Sequence, residues 1–126
     1  MGNSSQRIEG SFITVAVGAS PISAYKRIKL GTDGKYVVAG LTDYGDAVIE
    51  RDAKADEVGV PARLVNAEGT QFGIAAGAIA SAGLTLYSAA SGEVSTTQGT
   101  NAVIVGKSSA AASNGDITTY IGKSVA

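Results

Sequence analysis

The chain contains no cysteine, no histidine and no tryptophan, and only two of its 126 residues are proline. Without cysteine it can form neither a disulfide framework nor a thiolate metal site. Without histidine and cysteine, neither a Ser-His-Asp nor a Cys-His catalytic unit can be assembled from one chain. Zinc catalysis would need a site made of carboxylates alone, which zinc enzymes do not favour. We therefore expect that the protein is not an enzyme and that it holds no metal ion or other cofactor.

The charge balance also narrows the choice of partners. The formal net charge is −1 and the isoelectric point is about 5.3, so the basic surface of a nucleic-acid-binding protein is not expected. Residues 69–92 are uncharged, but alanine, glycine and polar side chains dominate this run, which argues against a membrane span. The first residues lack the apolar segment of a secretory signal, which predicts cytosolic synthesis.

Charged residues are concentrated in the first half of the chain. After Glu68, only four of the remaining 58 residues are charged, and 36 of those 58 are Gly, Ala, Ser or Thr. A surface with so little charge would favour association, so we expect sheet packing or a second subunit to cover part of it. Three residues on predicted strands are the candidates for that subunit interface: Thr96, Thr118 and Tyr120.

Short alternating or β-branched segments between turn residues predict many short strands. They lie at residues 12–17, 25–30, 35–38, 47–49, 58–65, 84–87, 93–94, 103–105 and 117–121. Asp33-Gly34 and Asn114-Gly115 are hairpin-type turn signals, because glycine accepts the positive φ of a tight turn. Alternation over residues 25–30 places Ile28 and Leu30 on one face and Arg27 and Lys29 on the other. Pro61 predicts that its strand is an edge strand or contains a bulge.

Helix signals are weak by comparison. A single helical turn is expected at residues 52–56, and one or two turns at residues 73–82, where alanine is frequent. These patterns predict a mainly β protein, a small barrel or sandwich with one or two short helices. Residues 1–11 are polar and rich in Gly and Ser, so we expect a flexible N-terminal arm before a single β-rich domain at residues 12–126.

Two groups of residues admit a binding or catalytic interpretation. Six carboxylates, at Asp43, Asp46, Glu50, Asp52, Asp56 and Glu57, could serve as a glycosidase pair or bind calcium. Because basic residues are interleaved with them, a solvated loop is the favoured interpretation. Five tyrosines, at positions 25, 36, 44, 87 and 120, could form a stacking platform for sugars or single-stranded nucleic acid. Positions at core edges or subunit contacts are favoured, and a carbohydrate-binding or adhesin-like module stays the alternative function.

The order of five sequence motifs resembles a known family. AYKRIKL, DGKYVVAG, DEVGVPARL, AAGAIASAGLTLYSAASGEV and IVGKSSAAASNGDI follow one another between residues 24 and 117. This succession is similar to that of the small capsid decoration, or cement, proteins of tailed bacteriophages. The family's glycine and apolar positions correspond here to Ala82-Gly83, Leu86-Tyr87, Gly92-Glu93-Val94, Val105-Gly106 and Gly115-Asp116-Ile117.

The resemblance implies a structural role and a location. Members of that family have a β-tulip-like fold, bind the outside of the expanded head and bridge neighbouring major capsid proteins. For this chain the resemblance implies synthesis in the host cytoplasm, residence on the outer capsid surface of the virion, and a homotrimer in preference to a dimer. The candidate capsid contacts lie in and next to the predicted arm, at Arg7, Ile8, Glu9 and Phe12.

Overall fold

The protein is mainly β, as the sequence predicted. The structure, a computed structural model, describes residues 12–65, 67 and 69–122. It contains two antiparallel five-stranded sheets. In these residues helix is limited to one 3₁₀ turn at Ala90–Gly92, and none of their helices is long and apolar enough to cross a membrane. The predicted N-terminal arm, residues 1–11, lies outside the described residues.

Each sheet is built from one half of the chain. The first contains β1 (Phe12–Val15), β2 (Arg27–Leu30), β3 (Tyr36–Val38), β4 (Ala47–Ile49) and β5 (Val60–Leu64), in the order β1-β5-β4-β2-β3. The second contains β6 (Thr70–Ile74), β7 (Thr85–Ser88), β8 (Val94–Ser95), β9 (Ile104–Ser108) and β10 (Ile117–Gly122), in the order β6-β10-β9-β7-β8. Each sheet curls so that its two edge strands come close together. A parallel bridge joins Val17, just after β1, to Tyr36 of β3, and another joins Ala75, just after β6, to Val94 of β8.

The two halves repeat the same topology. When β1 to β5 are matched with β6 to β10, the two strand orders become identical. The long loops also correspond, since an antiparallel bridge joins Ile22 to Ala53 in the first half and Ile79 to Ala112 in the second. In each half, the backbone N–H of a residue with positive φ just before the second strand donates a hydrogen bond to the fourth strand. Tyr25 (φ 67°) donates to Ile49 O of β4, and Gly83 (φ 85°) donates to Ser108 O of β9. The fold is therefore a structural duplication, which the sequence did not reveal.

Each half buries its own core on the inner face of its sheet, since side chains along a strand alternate between the two faces. The first core contains Val15, Val17, Ile22, Ile28, Ala47, Ile49, Ala53, Val60 and Ala62. The second contains Ala75, Ile79, Leu86, Val94, Val105 and Tyr120. The two halves are thus separately packed bodies, which meet along a junction described below.

The predicted helical turns at residues 52–56 and 73–82 are wrong. Ala53 pairs with Ile22 across the loop, and β6 continues to Ile74 before Ala75 bridges to Val94. Apart from one tight turn, in which Glu57 N donates to Lys54 O (3.2 Å), the backbone-to-backbone hydrogen bonds of both segments are made with distant residues. Alanine's helix preference is a fraction of a kcal/mol per residue, so such tertiary pairing overrides it.

The prediction that Pro61 marks an edge strand or a bulge is also wrong, since β5 pairs with both of its neighbours without a register shift. Strand β5 lies between β1 and β4. The carbonyl oxygen of Pro61 accepts a hydrogen bond from Glu50 N (3.0 Å), just past the end of β4. In an antiparallel sheet, the N–H and C=O groups of one residue point to the same neighbouring strand. The N–H that Pro61 lacks would therefore also point to Glu50, where β4 has already ended. The sheet therefore tolerates proline in an internal strand.

Candidate interaction surfaces

Arg27 connects the two halves. The sequence pattern put Arg27 on the face of β2 opposite Ile28, and the structure agrees, since Ile28 belongs to the first core and Arg27 does not. Arg27 is nevertheless 1% exposed, because the second half covers it, while Leu30, on the same face as Ile28, is 53% exposed. Its guanidinium donates to five carbonyl oxygens: Nε to Glu93 (3.1 Å), Nη1 to Asp43 (2.5 Å) and Tyr44 (3.3 Å), and Nη2 to Gly40 (3.3 Å) and Ala89 (2.9 Å). All five of its N–H donors are thus satisfied. Burial lowers the pKa of Arg27, and the neighbouring Tyr120 and Asp43 oppose that shift.

Other contacts reinforce this junction. Lys26 forms an ion pair with Glu93 (2.6 Å), and Ser88 Oγ donates to the carbonyl oxygen of Leu41. Gly92 packs so closely that an added Cβ would lie 2.9 Å from Arg27 O. Sequence reasoning missed this site because the carbonyl groups that satisfy Arg27 come from loops on both halves. Residues 27–30 alone carry no signal of that environment.

The acidic residues of positions 43–57 hold loops rather than converge on a site. Four of them accept hydrogen bonds, several from donors that are distant in sequence: Asp43 from Lys29 (2.8 Å) and Gly40 N, Asp46 from Leu30 N, Asp52 from Ala24 N, and Glu57 from Arg51 (2.8 Å) and Lys54 N. Nowhere in the described part of the chain do three acidic side chains gather as a metal ion would require. Glu50 differs from the others, because its Oε2 atom is buried without a hydrogen-bond partner and burial raises the pKa of its carboxyl group. The favoured interpretation, a solvated loop, agrees with the arrangement of the other five.

Asp43 is expected to make stability depend on pH. The hydrogen bonds from Lys29 and from Gly40 N lower the pKa of its carboxyl group in the folded state. The resulting stabilisation is complete above the ordinary pKa of 3.8 and is lost as pH falls through the lower folded-state value. We expect Asp43→Asn to remove this contribution, about 1 kcal/mol or less for a partly exposed pair. Urea unfolding at pH 7 and pH 3 should show that Asp43→Asn loses less free energy of unfolding on acidification than the wild type does. An equal loss in both proteins would contradict this role of Asp43.

The tyrosines are divided between the two halves. Tyr36 packs against the first core and Tyr120 belongs to the second. Desolvation raises the pKa of Tyr120, which is 2% exposed. Tyr25, in the first half, lies against Phe72 of the second half with ring centroids 5.0 Å apart. This division gives no support to a common stacking platform for a sugar.

The structure places two of the predicted interface residues in the interior. Thr118 is 5% exposed and Tyr120 is 2% exposed, while Thr96 is half-buried. Both β10 residues point to the inner face of the sheet, because alternation puts their neighbours Ile117 and Ile121 outside. Neither Thr118 nor Tyr120 can present its side chain to another subunit. A subunit interface in this half stays a prediction, and the exposed residues of the same strand would form it.

The opposite side of the second sheet is an apolar surface, which we call the outer face of the second sheet. Four large apolar side chains are exposed there: Phe72 (44%), Ile104 (41%), Ile117 (58%) and Ile121 (52%). Ile74 pairs directly with Ile117, and Tyr87 pairs with Ile104. Lys107 is the one charged residue on strands β6 to β10 as described. An apolar sheet face with a single charge is typical of a binding surface.

Of the predicted capsid contacts, Arg7, Ile8 and Glu9 lie outside the described residues. Phe12 is at the beginning of β1 and is 53% exposed. The guanidinium carbon of Arg63 lies 5.5 Å from the centre of its ring, which is within the range of a cation–π contact. Phe12 is therefore an accessible aromatic residue held in place from its own sheet.

A comparison with solved structures finds a similar fold. No protein-family model matches the chain, and no curated protein matches its sequence. The structure is similar to the crystal structure of the N base of head fiber gp8.5 in bacteriophage phi29, with a TM-score of 0.71 and 17% sequence identity. The match covers 89% of this chain and 94% of that chain. The two proteins share a fold. Because the match covers nearly all of both chains, the likeness includes both halves of the duplication.

Proposed function

We propose that this protein is a structural component of a bacteriophage head, which binds the outside of the expanded shell and bridges neighbouring major capsid proteins. The observation that carries the proposal is the fold likeness to the base of a phage head fiber over almost the whole chain. The likeness supports a role at the phage head in general. It does not by itself support membership of the decoration family that the sequence motifs resemble. The role is structural, and it rests on binding surfaces instead of on a catalytic centre.

The arrangement of surfaces supports bridging. The junction at Arg27 fixes the two halves to each other through hydrogen bonds to both, so one molecule presents two linked bodies. We propose further that copies associate with one another, as a homotrimer in preference to a dimer. Several weak contacts to the shell would then act together, since linked binding events raise the overall affinity without any new type of contact.

Binding to purified phage heads tests the proposal. We expect the protein to sediment with expanded, empty heads of its own phage and not with immature heads, because bridging requires the subunit spacing of the expanded shell. Bound heads should also resist heating or low salt better than bare heads. Equal binding to both kinds of head, or no binding to either, would contradict the proposed function.

A variant without residues 1–11 extends the same experiment. If these residues contact the shell as predicted, the truncated protein should bind heads more weakly while its thermal unfolding temperature stays close to that of the wild type. The matched control is Val58→Lys, a single change at a residue that is 73% exposed on the first half. Unfolding of the truncated protein at a much lower temperature would instead assign these residues to the folded domain.

A further inference from the structure

The two halves share a topology but differ sharply in charge. Residues 12–65 contain fourteen charged residues, and residues 69–122 contain three: Glu93, Lys107 and Asp116. Both halves have the same set of strands and loops, so the fold itself does not explain the difference. A surface that stays in water gains solubility from charge. The low charge of the second half therefore favours a partner that covers part of its surface.

Comparison of matching strand positions identifies that surface. Arg27 and Val48 pair across β2 and β4 on the outer side of the first sheet, and both are buried. The matching pair in the second sheet is Thr85 and Lys107, and both are exposed. The outer side of the first sheet is thus covered at this point, while the outer face of the second sheet is open. The large apolar side chains Phe72, Ile117 and Ile121 lie on this open face.

We infer that the outer face of the second sheet binds the same half of a second copy of this chain. The charge pattern decides the occupant. Exposed charged residues are distributed over the first half, and burying them against an apolar sheet would leave charges without water or partners. The second half is the neutral surface that the chain itself offers. The aliphatic stem of Lys107 can lie along such a contact while its ammonium group reaches the rim.

The size of the face suits the centre of such an interface. Four strands about 4.8 Å apart, with roughly five residues rising about 3.3 Å each, give a footprint of roughly 300 Å². This is at the lower end of the largest apolar patch of a typical monomer, about 300–600 Å². The face can therefore form the centre of an interface but not all of it, because a stable interface buries roughly 800 Å² per partner. The Ser- and Thr-rich loops around it would supply the polar rim that subunit interfaces have. Phe72 is also held by the ring of Tyr25, which reduces the entropy that it loses on binding.

This inference rests on the self-association part of the proposed function and not on binding to heads, so purified protein alone tests it. We expect the wild type to be oligomeric by sedimentation equilibrium at tens of micromolar. Ile117→Lys should raise the dissociation constant of the oligomer at least about tenfold, because the interface would have to desolvate an unpaired charge. The matched control Val58→Lys, which changes an exposed apolar residue of the first half, should leave the oligomer unchanged.

Cysteine labelling gives a second readout that does not depend on the lysine variants folding. The chain has no cysteine, so Ile117→Cys and Val58→Cys each carry a single thiol. In the oligomer, the thiol of Ile117→Cys should react with maleimide more slowly than that of Val58→Cys, and dilution should remove the difference. A monomeric wild type, an oligomer that Ile117→Lys leaves intact, or equal labelling at both positions would each overturn the inference. Protection of Ile117→Cys that arises only on heads would also overturn it, and would assign the face to the shell.

Discussion

Arg27→Ala is expected to destabilise the protein by about 3–5 kcal/mol, or to prevent folding of the two-half body. The substitution removes five hydrogen bonds and takes the Arg27 donor from the carbonyl oxygens of Asp43, Tyr44 and Ala89. The carbonyl oxygens of Gly40 and Glu93 also lose Arg27 but keep a backbone donor, Asp43 N and Ala89 N respectively. Removing one partner from a buried charged network costs this much because the remaining polar groups stay desolvated. Urea unfolding followed by circular dichroism measures the loss.

Two further variants separate the shape of the guanidinium from its charge. Arg27→Lys keeps the charge but has three donors on one nitrogen atom, so it cannot reach carbonyl groups on both halves, and we expect most of the loss to persist. Arg51→Lys is the matched control, because Arg51 forms a solvent-exposed ion pair with Glu57 and its replacement should leave the free energy of unfolding nearly unchanged. Similar stabilities for Arg27→Lys and the wild type would show that charge alone is sufficient at the junction.

Gly106→Ala is expected to be as damaging as the loss of Arg27, for a steric reason. Gly106 is buried in β9, and an added Cβ would lie 2.2 Å from the carbonyl oxygen of Ile121 and 3.0 Å from the Tyr120 ring. Because the nearest atom belongs to the backbone of the neighbouring strand, β9 and β10 would have to separate. We expect a loss of about 3 kcal/mol or more, at the upper end of overpacking effects, measured by the same urea unfolding.

Gly18→Ala provides the control for this steric argument. Gly18 is also buried, but its added Cβ would lie 3.4 Å from Val37 and 3.6 Å from Tyr36 O, which are ordinary contact distances. The change should be nearly neutral or slightly stabilising, because alanine restricts the unfolded chain. Equal losses in Gly18→Ala and Gly106→Ala would mean that backbone flexibility, and not the packing of β10 on β9, makes these glycines necessary.

The two pairs of variants also bear on the proposed role. Arg27 acts between the halves and Gly106 acts within one of them. If a rigid two-half body is needed to bridge capsid subunits, Arg27→Lys at a temperature where each half stays folded should weaken binding to heads. Comparing head binding by Arg27→Lys and by the wild type would show whether the stability of the junction affects attachment to heads. The substitution leaves the outer face of the second sheet unaltered.

Sequence patterns alone determined the class of the fold and most of its strands. The β-branched segments and the Asp33-Gly34 and Asn114-Gly115 turns are local features, and the mainly β prediction that they support is confirmed. The segments at residues 47–49 and 117–121 also correspond to strands β4 and β10. These predictions succeeded because strand periodicity and turn chemistry depend on residues that are close together in the chain.

Tertiary structure decided which side of each strand is buried and what it meets. Arg27 is buried although it lies on the outer side of the first sheet, because carbonyl groups from loops of both halves surround it. Pro61 is tolerated in an internal strand because β4 ends beside it. Thr118 and Tyr120 face the core, so the exposed apolar surface is formed by the residues that alternate with them. Period-two alternation defines two faces but does not say which one is inner, because that depends on partners far away in sequence.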